Sequence, residues 1–183
     1  MRLKVALALL SVAGLSACCS TPPAPAPIQV GPAATPMGKF AAFVTGYTYY
    51  DNTPPKSKAV SHPKIHKVAG GNGTHADPIT MAVGHSKAGG YSVLDFPAGT
   101  RFYMPYLDRY FIVEDTCGDG LTPENGACHQ KPDSGHYWVD IWVDGQGLGA
   151  DKANNCARRI TGIHTVYREP PDDFKVDTKP ICS

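Results

Sequence analysis

No stretch of the 183 residues stays apolar for the about 20 positions that a ~30 Å hydrocarbon core demands, so no transmembrane helix is predicted. Charge is scarce as well: Asp, Glu, Lys and Arg make up 18% of the chain, and the formal net charge is +1. Without Arg2 and Lys4 the 17 basic residues fall to 15 against 16 acidic ones, whereas a nucleic-acid-binding surface needs a clear basic excess. No pair of Cys-x-x-Cys motifs supplies a zinc ligand set. Gly70-Gly71-Asn72-Gly73 lacks the Gly-Lys-Ser/Thr ending of a phosphate loop. No nucleic acid, metal or cofactor is therefore expected. What is abundant is Gly (19) and Pro (17), which disfavours long helices, while 42% hydrophobic residues predict a packed, loop-rich globule rather than a disordered chain. The length fits one domain with appendages.

The N-terminus predicts export. Residues 1–17 carry Arg2 and Lys4, then an apolar run from Val5 to Leu15, then Ser16-Ala17 ahead of a cysteine, the layout of a secretory leader. Leu15-Ser16-Ala17-Cys18 resembles the lipobox of bacterial lipoproteins, which implies that Cys18 carries lipid and holds the protein at the bacterial envelope, on the outer membrane or cell surface. The alternative is ordinary cleavage near Ala17 and a secreted product. Residues 18–39 hold six prolines and predict a semi-extended tether of low order. In an oxidising compartment the remaining cysteines can pair, and the most local pairing joins Cys117 to Cys128 and Cys156 to Cys182, leaving Cys19 over.

From residue 40 to 183 the pattern is all-β: short aromatic and β-branched runs punctuated by Gly, Pro and Asp. Strands are predicted at 40–50, 79–83, 101–104, 110–114, 137–143 and 164–168. One helix is predicted between Gly149 and Ile160, capped by Asp151 and ended by Gly162.

Three segments in order carry a resemblance: Pro97-Ala98-Gly99-Thr100-Arg101-Phe102-Tyr103, Phe111-Ile112-Val113-Glu114-Asp115-Thr116-Cys117-Gly118, and Trp138-Val139-Asp140-Ile141-Trp142-Val143. Together they resemble the double-psi β-barrel superfamily, in particular the three-aspartate domain of membrane-bound lytic transglycosylase A, and rare lipoprotein A. Gly46-Tyr47-Thr48-Tyr49-Tyr50-Asp51 and His136-Tyr137-Trp138-Val139-Asp140-Ile141 add a looser likeness to family 45 endoglucanases and expansins. The resemblance implies a six-stranded double-psi β-barrel with one short helix. It departs at Gly84-His85-Ser86, where the three-aspartate family has an Asp, and at Cys117-Gly118-Asp119-Gly120, where Gly-Gly gives way to an insertion over 118–134.

The implied activity is that of a peptidoglycan lytic transglycosylase, in which one Asp serves as acid and then base. Asp140 is the candidate, with Trp138 and Trp142 on its own face of the strand, and Asp115 is expected to orient substrate or share its proton. Each has a structural alternative: a strand Asp bonded to a loop, and a cap of the Thr116-Cys117-Gly118 turn. Asp51 fits a second carboxylate of a hydrolase or, more simply, a turn former. Tyr49, Tyr103 and Trp138, with Tyr47 and Tyr106, are candidate stacking surfaces, and His136 lies on the Asp140 face. The expected partner is cell-wall polysaccharide, peptidoglycan first, with the membrane met only through the lipid. The alternatives are a non-catalytic expansin-like binding or wall-loosening module, and a secreted β-1,4-glucanase. His62 and His66 flank Pro63 in a loop-like stretch and read as solvated.

Overall fold

A computed structural model describes residues 37–118, 120–129 and 135–182, all within one compact unit. The leader, Cys18, Cys19 and most of the proline-rich stretch lie outside the described residues. Seven strands, β1 (Gly38–Tyr47), β2 (Ile79–Ser86), β3 (Val93–Leu94), β4 (Arg101–Met104), β5 (Arg109–Cys117), β6 (Tyr137–Trp142) and β7 (Gly162–Arg168), are joined by one helix, α1 (Ala150–Ile160), between β6 and β7. A short 3-10 turn, Pro123–Asn125, sits in the loop after β5.

The sheet is mixed, in the order β3-β2-β5-β4-β7-β1-β6, with a further pairing of β2 to β6. β1–β6 and β2–β5 run parallel, and the other pairs are antiparallel. The expected six-stranded double-psi β-barrel is therefore corrected. Six strands do return on themselves, but β2 meets β6 over three residue pairs and β4 meets β7 over two, and a seventh strand, β3, hangs on the edge of β2. The result is a mixed sheet folded back on itself. β3 is two residues long, too short to leave a hydrophobic pattern in the sequence.

β2 and β5 form the centre. Both are buried along almost their whole length, and their side chains Met81, Val83, Phe111 and Val113 meet Val44, Val139 and Ile141 from β1 and β6. Such strands read as continuous hydrophobic runs because both faces are covered. Phe96 joins the aromatic side of this core, its ring 5.0 Å from Phe102 and 4.8 Å from Tyr137.

α1 begins after Gly149, whose φ of 83° favours glycine, so the helix has a backbone start rather than the expected Asp151 cap. Asp151 in its first turn and Arg158 and Arg159 in its last complement the helix dipole. Its buried face is Ala153, Cys156 and Ala157, and it lies close on β1 because Gly46 has no side chain there. A Cβ at Gly46 would stand 2.7 Å from the Ile160 Cδ1 and 3.4 Å from the Ala157 Cα. Gly46→Ala is expected to cost about 1–3 kcal/mol by overpacking, read as a lower urea midpoint at unchanged slope. The helix ends at Thr161, and Gly162 opens β7 instead of closing the helix.

Both local disulfides are formed. Cys156–Cys182 ties the C-terminal segment to α1, and Cys117–Cys128 closes the loop after β5. Among the described residues no helix is long and apolar enough to cross a membrane.

Candidate functional site

Register places the site. Thr45 on β1 pairs with Asp140 on β6, Asp140 with Ala82 on β2, and Ala82 with Asp115 on β5, so the four residues form one row across four strands. Paired residues project to the same face of a sheet, which carries the two carboxyls toward one another across the small Ala82. The pairing of Asp115 depends on an irregularity. Met81 is opposite Val113, yet Ala82 is opposite Asp115, so the ladder steps over Glu114. Bulges re-aim side chains in this way, and here Asp115 turns to the Asp140 face while Glu114 is fully buried.

Above this row opens a cleft of about 300 Å³, lined by Tyr47, Asp51, Ser61, Ala82, Asp115, Thr116 and Asp140 among others. The Asp115 Oδ1 accepts the Ser61 N–H at 3.0 Å, the Ser61 hydroxyl at 2.9 Å and its neighbour Thr116 N–H at 2.9 Å. Its Oδ2 accepts the Tyr47 hydroxyl at 3.2 Å. Burial, then the charges of Asp115 and Asp140, push that phenol well above its ordinary range, so Tyr47 remains a donor. Asp51 at the lip accepts the Thr48 N–H at 2.6 Å and the Thr48 hydroxyl at 2.7 Å, as a turn former does.

Asp140 has a different environment. The Trp138 indole N–H donates to the Thr45 hydroxyl at 2.7 Å, and that hydroxyl donates to the Asp140 Oδ1 at 2.7 Å. The Cys117 sulphur, held in its disulfide, lies 3.9 Å from Oδ2. Burial pushes the Asp140 carboxyl up to about 7, and the nearby Asp51 and Asp115 charges add to the rise against the Thr45 bond, which lowers it. Near neutral pH the cleft thus contains one carboxyl that retains a proton beside one wrapped in donors.

The loop between β1 and β2 forms one wall, and buried chemistry holds it. The Glu114 Oε1 accepts the backbone N–H groups of Lys64, Ile65 and His66 at 3.1, 2.8 and 2.9 Å. Its Oε2 lies 2.7 Å from the His66 Nδ1 and accepts the Thr80 hydroxyl at 3.1 Å. The His66 Nε2 lies 2.8 Å from the Asp77 Oδ1. Although burial alone would lower it, His66 is raised by its two carboxylate partners; Glu114, which burial alone would raise, is held below its ordinary range by the N–H donors and the His66 ring. His66 is therefore not the solvated loop residue that the sequence predicts.

Of the expected site residues, Asp140, Asp115 and Asp51 come together in the cleft, while Trp138 is outside its lining and reaches Asp140 through the Thr45 hydroxyl, its ring 5.0 Å from that of Phe43. Half-buried His136 precedes β6. Tyr49 packs beside Tyr50, its N–H bonded to the Asp144 carbonyl, and stands outside the cleft lining. Tyr103 is buried under the C-terminal segment, where its hydroxyl donates to the Lys175 carbonyl. Tyr106 stacks on His164. Thr45, Ser61 and Ala82 escape the sequence reading. Thr45 alone left a signal, since strand alternation places it on the face of Tyr47.

The family described as the DDB_G0273701 N-terminal domain matches residues 39–183. A Dictyostelium discoideum protein described as uncharacterized protein DDB_G0273701/DDB_G0273221 is 32% identical over 142 residues, which covers 76% of this chain and 55% of its own length. The chain thus spans about half the length of the curated relative it matches. No solved structure matches the chain. The family match runs through all three segments that carried the resemblance to the three-aspartate domain and rare lipoprotein A, and with the mixed seven-stranded sheet it overturns that resemblance. The lytic transglycosylase activity, the expansin-like module and the β-1,4-glucanase fall with it.

Proposed function

We infer that this chain, which belongs to the family described as the DDB_G0273701 N-terminal domain, uses the Asp140–Asp115 cleft to bind a neutral, hydroxyl-rich ligand of the saccharide class. The observation that carries this reading is the lining. Three carboxyls and the hydroxyls of Tyr47, Ser61 and Thr116 border the cleft, and among the described residues no Lys, Arg or His does. Such a field disfavours phosphates and other anions. The Asp140 carboxyl, which holds its proton up to about 7, stands beside the Asp115 oxygens, which accept hydrogen bonds, so one small site provides both a donor and acceptors, the pairing that sugar hydroxyls satisfy.

Export belongs to the same inference. Two disulfides persist in oxidising compartments, where an extracellular glycan is a ligand within reach.

The test is calorimetric titration of the purified chain with a panel of soluble neutral oligosaccharides of differing linkage at pH 5.5 and pH 8.5. Saturable binding is expected, several-fold weaker at pH 8.5, where Asp140 has lost its proton. In Asp140→Asn the amide replaces the protonated carboxyl and the pH dependence disappears. Absence of binding at millimolar ligand, or unchanged pH dependence in Asp140→Asn, would overturn the reading.

A further inference from the structure

We propose that Thr45 is a positioning residue which, together with Trp138, directs the Asp140 proton onto Oδ2, so that the cleft donates a hydrogen bond to an acceptor oxygen of its ligand. The inference rests on the saccharide reading only for the identity of that ligand. The placement of the proton rests on hydrogen-bond direction.

An indole N–H donates and cannot accept. The 2.7 Å contact from the Trp138 Nε1 therefore occupies a lone pair of the Thr45 hydroxyl and fixes Thr45 as acceptor there. A hydroxyl has a single hydrogen, and the contact at 2.7 Å to the Asp140 Oδ1 is where it goes. Oδ1 is thus an acceptor whether or not the carboxyl is ionised, and the proton of the neutral acid belongs on Oδ2. Among the described residues that oxygen's contact is the sulphur of Cys117, at 3.9 Å, and a disulfide sulphur has no hydrogen to give and is a weak acceptor. A ligand oxygen entering the cleft is a better partner for Oδ2–H than that sulphur.

The strand pairing makes the relay rigid. Thr45 and Asp140 are opposite one another in the parallel β1–β6 ladder, and Phe43 and Trp138 are the preceding opposed pair on the same face. The β-branched Thr45 side chain has restricted χ1 freedom in a strand, and the Phe43 ring meets the indole edge to face at 5.0 Å. The groups that face Asp140 from the packed elements are Asp115 from β5, Asp51 from the turn after β1 and Tyr47 from β1; β2 contributes Ala82. His62 is outside the lining, its Nδ1 2.9 Å from the Ser61 hydroxyl. Asp51 and Asp115 penalise the ionised form, and the Thr45 hydroxyl is the neighbour that favours it.

The ligand this arrangement selects presents an ether, carbonyl or hydroxyl oxygen as acceptor toward Oδ2. A ligand group that is only a donor there, such as an ammonium, would need the ionised carboxylate and would bind better as pH rises.

The experiment follows the Asp140 carboxyl carbon by NMR titration of the ligand-free chain, in the parent, Thr45→Val and Thr45→Ser. Thr45→Val keeps the β-branched shape and removes the bond that favours the ionised form, so the midpoint is expected to move up by about one pH unit. Thr45→Ser restores the hydroxyl and is expected to return the midpoint to that of the parent. A purely structural role for Thr45 would leave the midpoint in place, and an unchanged midpoint in Thr45→Val overturns the relay. The same samples titrated with a soluble oligosaccharide separate the two ideas. A shifted midpoint with no saccharide binding in any variant keeps the relay and removes the ligand assignment. Tighter binding at alkaline than at acid pH overturns the donor role of Oδ2.

Discussion

Glu114→Ala is expected to destabilise the domain by about 3–5 kcal/mol, the range for removing one partner of a buried ion pair. Glu114 is fully buried and accepts three successive backbone N–H groups from the β1–β2 loop, the Thr80 hydroxyl and the His66 ring. Truncation leaves those N–H groups without their acceptor and the His66 ring with Asp77 as its one carboxylate partner. At about 2–4 °C per kcal/mol for a domain of this size, the melting temperature should fall by roughly 6–20 °C. The pH dependence follows from the two shifts. The raised His66 contributes stability that is complete below its ordinary value of 6.5 and is lost as pH climbs through its folded value. The lowered Glu114 contributes stability that is complete above its ordinary 4.5 and is lost as pH falls through its folded value. The penalty of Glu114→Ala should therefore be largest between about pH 4.5 and 6.5 and shrink on both sides. Thermal scans from pH 3 to pH 9 check this, and a penalty that does not vary with pH would exclude a charged Glu114–His66 pair as its source.

Asp140→Asn should act in the opposite direction. The folded carboxyl titrates at about 7 against an ordinary 3.8, so through that window the native state holds a proton that the unfolded chain has released. Stability consequently falls as pH rises from about 4 to 7, and the full penalty is present above 7. A three-unit shift corresponds to roughly 4 kcal/mol, and the partial exposure of Asp140 reduces this to about 2–4 kcal/mol. Asparagine keeps an oxygen for Thr45 and cannot ionise. The variant is expected to exceed the parent by that amount at pH 8.5 and to match it at pH 3.5, as judged by urea unfolding. An equal gain at both pH values would mean that packing, not charge, was the liability at this position.

These two positions differ in how much the sequence disclosed. Asp140 stands in an alternating run between two tryptophans, and a period of two is enough to place it on their face. β4 and most of β1, β5, β6 and α1 are legible for the same reason, since strand and helix periods are local properties. Glu114 was hidden in Phe111-Ile112-Val113-Glu114-Asp115, where strict alternation sets it and Asp115 on opposite faces but says nothing of which faces the cleft. The step in register between Met81 and Ala82 decides that, and register belongs to a pair of strands rather than to either one. The resemblance failed at the same level. Pro-Ala-Gly-Thr and Val-Asp-Ile encode a turn and a strand, and such pieces fit many sheet orders. The β1–β2 loop looked featureless because its anchor, Glu114, lies 48 positions from His66 in sequence.

The pairing of β1 with both β6 and β7 constrains how this chain reaches its native state. β1 finds its β6 neighbour only once residues 137–142 have emerged and its β7 neighbour only with residues 162–168, so a partly synthesised chain exposes an unpaired β1 edge. Closure of the sheet is a late event that joins distant parts of the chain, and its rate is governed by the search for those contacts rather than by local propensity. A chain built in this way stays open until its last strands arrive, and then shuts around its own beginning.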